Sequence, residues 1–146
     1  MLFLNNHKER SCVPLSCSTL VERMVRTLST NELRRITGVS QKQNKSVHWH
    51  TATIIVKQLL SIREFIDVVR KIIADCKTQD GEVELELLDF ATRVNIIAYY
   101  AFIDLPKDID ELYYVVYASD LYDVVCSVAN KEQVNSIKNA ISMIIG

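Results

Sequence analysis

TATIIVKQLLSIREFIDVVRKIIADC, residues 51–76, is the stretch on which the fold turns. Within it Ile55, Leu59, Ile62, Ile66, Val69 and Ile73 recur at intervals of four, three, four, three and four. That spacing lays them along one stripe of a helix, whereas a strand needs alternation at every residue. Ile54, Phe65 and Ile72 widen the stripe, and Lys57, Arg63, Glu64, Arg70 and Lys71 lie mostly away from it. The spacing predicts one long amphipathic helix from about Thr51 to Cys76.

Working toward the C-terminus, Thr78-Gln79-Asp80-Gly81 reads as a turn. A second long helix follows from about Val83 to Ile103. Asp80, Glu82, Glu84 and Glu86 load its start with negative charge, which suits the positive end of the helix dipole. Its later part, Ile96 to Ile103, is apolar all round and reads as buried on most sides. Leu105-Pro106 breaks the chain, and Asp108-Ile109-Asp110-Glu111 is a capping pattern. The helix it opens runs to about Val128, offering Ile109, Leu112, Val116, Leu121, Val124 and Val128 to a core. Tyr113, Tyr114, Tyr117 and Tyr122 cover its flanks with their hydroxyls in water. Asn130 caps a last helix with Val134, Ile137, Ile141 and Ile144 along one face.

Working toward the N-terminus, Ser29-Thr30-Asn31-Glu32 has the capping-box form, a hydroxyl three residues before a glutamate. It predicts a helix from about Thr30 to Thr37, ended by Gly38 in the left-handed conformation. A further short helix is expected from about Thr19 to Leu28, with Leu20, Met24 and Leu28 on one face. Residues 1–16 have no periodicity and contain Pro14, so residues 1–18 read as a flexible arm. Residues 40–46 are polar throughout, either a loop or the exposed start of the next helix. The expected fold class is all-α: a compact bundle of about four helices over residues 51–146, preceded over residues 1–50 by one or two short helices and a basic arm.

The bulk composition agrees. The 146 residues are 49% hydrophobic and 24% charged, and hold only 3 Gly and 2 Pro, few for the turns of a β-sandwich or barrel. No run approaches the roughly 20 apolar residues that span a bilayer, and Met1-Leu2-Phe3-Leu4 turns polar at Asn5, so no signal-peptide core is seen. The expected location is therefore cytoplasmic, with Cys12, Cys17, Cys76 and Cys126 as reduced thiols. The net charge of −1 conceals an asymmetry: residues 1–50 carry eight basic and three acidic groups, a balance of +5, and residues 51–146 nine and fifteen, a balance of −6. Such a division suits a nucleic-acid-facing half, attraction between the two halves, or head-to-tail attraction between neighbouring copies, and a chance uneven surface accounts for it equally well.

No chemistry-bearing constellation survives scrutiny. Cys12, Cys17, His48 and His50 supply zinc-type ligands, but the two pairs are about thirty residues apart, and on a helix His48 and His50 diverge by about 200°. Asp80-Gly81 resembles the middle of a calcium loop, yet the first, third and twelfth positions would be Cys76, Thr78 and Leu87. His7, His48 and His50 have no nucleophile signature beside them, and three glycines cannot build a phosphate loop. Glu82, Glu84, Glu86 and Asp89 fit a solvated helix start. The expectation is no enzyme, no metal and no cofactor.

The sharpest local pattern is Asn31-Glu32-Leu33-Arg34-Arg35-Ile36-Thr37-Gly38-Val39-Ser40-Gln41, which resembles the first helix and turn of a DNA-binding helix-turn-helix. Leu33, Val39 and Val47 stand where that motif buries side chains, whereas Arg34 and Asn44 depart from it. In that alternative Arg34, Arg35, Gln41, Lys42, Gln43 and Lys45 are the candidate nucleic-acid contacts.

A second pattern covers residues 55–145: Glu64-Phe65-Ile66-Asp67-Val68-Val69, Asp80-Gly81-Glu82, Asp89-Phe90-Ala91-Thr92-Arg93-Val94-Asn95-Ile96-Ile97-Ala98-Tyr99-Tyr100 and Tyr117-Ala118-Ser119-Asp120. It resembles small helical proteins encoded by tailed bacteriophages. The resemblance implies a virion-associated or accessory protein that acts by binding other proteins, and it carries over no functional residue. The primary expectation is a non-enzymatic component of a capsid, neck or tail assembly, with other protein subunits as partners. A DNA-binding regulator and a small inhibitor or adaptor of a host protein are the alternatives.

Overall fold

The computed structural model of the chain describes residues 27–38 and 44–146, which belong to two units, residues 1–42 and 43–146. The described part of the first unit is helix α1, Thr30–Thr37. Ser29 Oγ accepts from the Glu32 N–H at 3.1 Å, and Glu32 Oε1 accepts from the Ser29 N–H at 3.2 Å, so the capping box is closed in both directions. Gly38, at φ 66°, donates its N–H to the Arg34 carbonyl and ends the helix in the left-handed region. Thr27 and Leu28 are not helical; the rest of the helix expected over 19–28 lies outside the described residues, as does the arm.

The second unit is mostly helical but not all-α. It opens with an antiparallel hairpin, β1 (Asn44–Trp49) and β2 (Ala52–Lys57), in register from Asn44 opposite Lys57 to Trp49 opposite Ala52. This overturns the first half of the long helix expected from Thr51. Residues 44–50 belong to the second unit. Thr53-Ile54-Ile55-Val56 is a β-branched run, stiff at χ1 and suited to a pleated surface. Ile54 and Val56 point into the core while Ile55 faces out. His50 takes φ 55° in the two-residue loop, a left-handed backbone that hairpin turns of this length require. The other edge of β2 meets Ala101, opposite Val56, and the Phe102 N–H donates to the Ile55 carbonyl at 3.0 Å.

Five helices follow: α2 (Ile62–Asp75), α3 (Leu85–Tyr100), α4 (Ile109–Ala118), α5 (Leu121–Val128) and α6 (Lys131–Ile145). The helix expected from Asp108 to Val128 is two helices. Ser119 and Asp120 interrupt it: the Ser119 hydroxyl donates to the Val115 carbonyl and accepts from the Leu121 N–H, the local competition with backbone pairing that short polar side chains offer. In α2 the expected stripe is rotated by about one residue. Ile62 and Ile66 are exposed, and the inward face is Phe65, Val68, Val69, Ile72, Ile73 and Cys76. In α6 Val134, Ile137 and Ile141 are buried as expected, but Ile144 is exposed and Ile145 packs inward.

The core has Tyr100, Ile72, Ile96, Ile97 and Ile137 at its centre, all fully buried. Gln133 on α6 ties its layers together. Its Oε1 accepts from the Leu60 N–H at 2.8 Å and the Tyr100 hydroxyl at 2.6 Å, and its Nε2 donates to the Leu60 carbonyl at 3.1 Å. Asn95, also buried, donates to Asp75 at 2.9 Å and to the Ala91 carbonyl. The hairpin is pinned from its far end, where the Trp49 indole N–H donates to Asp120 at 2.7 Å.

Candidate interaction surface

Residues 80–123 carry eleven carboxylates and two basic groups, and one of the two, Arg93, organises the most structured part of the surface. Asp89 and Arg93 are one turn apart on α3, and Asp89 Oδ2 accepts from Arg93 Nε at 2.9 Å. The same oxygen accepts from the Tyr117 hydroxyl on α4 at 2.5 Å. The Arg93 guanidinium then lies over two rings, Tyr117 at 5.0 Å and Tyr122 of α5 at 4.7 Å. Lys138 of α6 approaches Tyr122 at 5.9 Å. Next to this, Phe90 contacts Tyr113 at 5.5 Å and Tyr117 at 6.1 Å, and Tyr113 and Tyr117 are 4.8 Å apart. Spacings of four between Asp89 and Arg93, and between Tyr113 and Tyr117, bring these groups to the facing sides of α3 and α4.

The consequence is a part-apolar patch in which donors and acceptors are paired with one another. Tyr122 is buried, contrary to the expectation that all four tyrosines of this region keep wet flanks, whereas Tyr113 and Tyr114 are exposed. Beside the aromatic cluster runs a cleft of about 260 Å³ between α3, α4 and the end of α2, lined by Leu87, Phe90, Val94, Ile109, Leu112 and Asp75. Ile109 is 64% exposed at its mouth. Burial, with the hydrogen bond to Asp89, raises the Tyr117 phenol to about 12. Burial likewise raises Tyr122 and the Cys126 thiol beneath it.

The residues singled out from sequence fall in both units. Arg34 and Arg35 lie on α1, with Arg34 3.4 Å from the Asn31 side chain. Lys45 lies on β1 opposite Val56. Gln41, Lys42 and Gln43 lie outside the described residues, as do Val39, His7, Cys12 and Cys17. The helix-turn-helix pattern needs its second helix to run through Val47, and residues 44–49 are strand instead, because the β-branched partner run pairs with them. His48 and His50 sit at the hairpin end, where His48 Nδ1 is 3.4 Å from the Thr53 hydroxyl. Asp80-Gly81 is a tight turn, with the Gly81 N–H donating to the Thr78 carbonyl at 3.0 Å. Among the described residues no three His, Cys, Asp or Glu side chains converge as a metal site would require, and no helix is long and apolar enough to cross a membrane.

Sequence reasoning missed the Phe90–Arg93–Tyr113–Tyr117 cluster. Its signal was present as the two i,i+4 pairs, but only packing of α3 on α4 makes them one surface. No protein-family model, curated protein or solved structure matches this chain.

Proposed function

We propose that the protein is a non-enzymatic component of a larger protein assembly and that it binds its neighbour through the aromatic–arginine surface of α3 and α4. The observation that carries this is the arrangement of Tyr117 and Tyr122 about an Arg93 held by Asp89, with Phe90 and Tyr113 packed against Tyr117. Tyrosine and arginine are the side chains enriched where binding energy concentrates, because they combine large apolar area with directional bonding. Here the Asp89 bonds to Arg93 and Tyr117 favour one geometry of these side chains, which reduces the ordering cost of association. Exposed Ile109, Leu87 and Tyr114 extend the same region. The likeness of residues 55–145 to small tailed-phage proteins supports placing that assembly in a virion or among its accessory factors. An inhibitor or adaptor of a host protein would use the acidic C-terminal surface instead. The regulator reading is not favoured here, since residues 44–49 form strand β1.

The test is solution mass by light scattering with and without duplex DNA, at low and moderate salt, for the wild-type chain and for Tyr113→Asp. The expected result is a self-associating, DNA-indifferent protein whose mass falls in the variant. A salt-sensitive complex with duplex DNA would overturn the reading, because phosphate contacts release counterions.

A further inference from the structure

Helix α4 is the least buried helix of the second unit. Only Val116 lies fully inside, with Leu112 and Val115 partly buried beside it, whereas α3 buries six residues and α2, α5 and α6 three each. The chain on either side of α4 is anchored. Before it, Ile103 and Leu105 pack against the core. After it, Asp120 is held by the Trp49 indole and Leu121 is buried. Between these anchors the joints are loose. Residues 103–107 make no backbone–backbone hydrogen bond among the described residues. At the other end Ser119 leaves the helix in an extended conformation, φ −113° and ψ 169°. The polar and aromatic ties of α4 to α3 are gathered near one point: the Tyr117 hydroxyl on Asp89, Arg93 over the Tyr117 ring, and Phe90 against Tyr113 and Tyr117. The Asp89 side chain is 64% exposed and Tyr117 is exposed, so water competes for these ties. Few buried apolar contacts and solvent-exposed bonds mark a segment that opens alone, well below the free energy of global unfolding.

We infer that α4 is a hinged flap, which swings off α3 as a unit about residues 107–108 and 119, with the Tyr117–Asp89 bond as its latch. A few residues at the ends of an element are enough to absorb the backbone change of a hinge. Helix α3 stays in place, because its buried face is part of the core and Asn95 ties it to Asp75 of α2. Opening breaks the Tyr117–Asp89 bond and lifts Ile109 and Leu112 away from the cleft they share with Leu87, Phe90 and Val94. The closed cleft of about 260 Å³ then widens into an apolar face on α3. Asp89 Oδ2 accepts from both Arg93 and Tyr117, so one oxygen holds the donor of the flap and the cation on which its ring rests. The flap is a property of the second unit alone, whatever partner its surface takes.

Native-state hydrogen exchange on the full-length protein, at neutral pH and in low urea, tests this. Amides of residues 113–118 are expected to exchange through an opening that depends little on urea. Those of residues 95–97, at the buried centre of α3, are expected to wait for global unfolding, which falls steeply with urea. Two conservative variants separate the flap from the whole. Ile137→Val trims a fully buried side chain of α6, which weakens the closed and open forms alike. It is expected to speed exchange at residues 95–97 about fivefold and to leave residues 113–118 unchanged. Tyr117→Phe keeps the ring and removes only the hydroxyl. It is expected to speed exchange at residues 113–118 about fivefold, the effect of one net hydrogen bond. Residues 113–118 protected as strongly as residues 95–97, with the same urea dependence, overturn the flap. So does exchange at residues 113–118 that speeds with Ile137→Val, because α4 then opens only when everything does. Exchange at residues 113–118 that is unchanged in Tyr117→Phe removes the latch and overturns the inference with it.

Discussion

Helices α1 and α2 begin with the same chemical instruction and end in different circumstances. Each opens on a serine three residues before a glutamate, Ser29 and Glu32 in one, Ser61 and Glu64 in the other, and each closes the full capping box. Each has its apolar residues concentrated on one side. Yet α2 buries Val68, Val69 and Ile72 against the core, and α1 buries nothing. A cap decides where a helix starts and contributes about 1 kcal/mol. Whether the helix is held depends on the apolar area it removes from water, which for a single aliphatic side chain is worth about 1.5–3 kcal/mol. Local code and tertiary support are therefore separable, and this chain displays each with and without the other.

The largest expected effect tests that separation directly. Ile72→Ala removes a fully buried side chain from α2 and should destabilise the second unit by about 2–5 kcal/mol, because the transfer loss is joined by the cost of the cavity. Ile36→Ala, the matching deletion on α1, should change global stability by no more than about 0.5 kcal/mol in dilute solution. Urea denaturation of the two variants measures both. Equal losses would mean that α1 is packed in the dilute protein and that the contrast is false.

The contrast also explains what was legible in the sequence. Helix α1, its capping box and its glycine stop were readable in full, because they depend on residues within one turn of each other. Helices α3 and α6 were readable within a few residues for the same reason. The hairpin was not. Ile55, Leu59 and Ile62 fit a helical period only if the chain does not break between them, and Thr53-Ile54-Ile55-Val56 satisfies a strand equally well. The arbiter was Ser61-Ile62-Arg63-Glu64, a helix start in the middle of the supposed helix, with the form already recognised at Ser29. Within α2, two rows of apolar residues have nearly the same spacing. Only the position of the hairpin and of α3 and α6 selects the row through Val68 and Ile72 over the one through Ile62 and Ile66. The interaction surface was illegible for a similar reason: Arg93 and Tyr117 are partners only once α3 and α4 are packed, and Trp49 and Asp120 only once the hairpin folds back over the α4–α5 junction.

The second-largest effect concerns the support that α2 receives beyond its cap. Gln133 satisfies both backbone groups of Leu60, immediately before the Ser61 cap, and accepts from Tyr100. Gln133→Leu leaves all three without that partner in a part-buried site. It should cost about 1–3 kcal/mol in denaturation experiments, the penalty of stranding polar groups. A loss near zero would show that water reaches the start of α2 and substitutes for the side chain.

Removing the caps themselves comes next. Ser61→Ala should lower the unfolding free energy of the second unit by about 1 kcal/mol. Ser29→Ala should leave that unit's urea midpoint unmoved and reduce only the far-ultraviolet helical signal. If Ser29→Ala shifted the midpoint as far as Ser61→Ala, the two helices would belong to one cooperative unit.

The smallest effect lies in the capping glutamate of α2. One oxygen of Glu64 accepts from the Ser61 N–H and the other from the Lys57 ammonium at the end of β2. The Lys57 hydrogen bond, and then the backbone bond at Ser61, hold the Glu64 carboxyl below the usual range, against the opposing pull of desolvation. A carboxyl lowered in the folded state stabilises it fully above its unfolded pKa, about 4.3 for glutamate, and loses that contribution as pH falls through the folded value. The acid limb of the stability curve should therefore be steeper for wild type than for Glu64→Gln. Lys57→Met should lie between them, because the Ser61 bond remains. With side chains about a quarter to a third exposed, solvent screens the pair, and the difference at neutral pH should stay under about 1 kcal/mol. Denaturation series for the three proteins across the acid range would show it. Superimposable curves would mean that Lys57 does not engage the carboxylate in solution, and that β2 and α2 are joined by the core beneath them and by the Gln133 bridge alone.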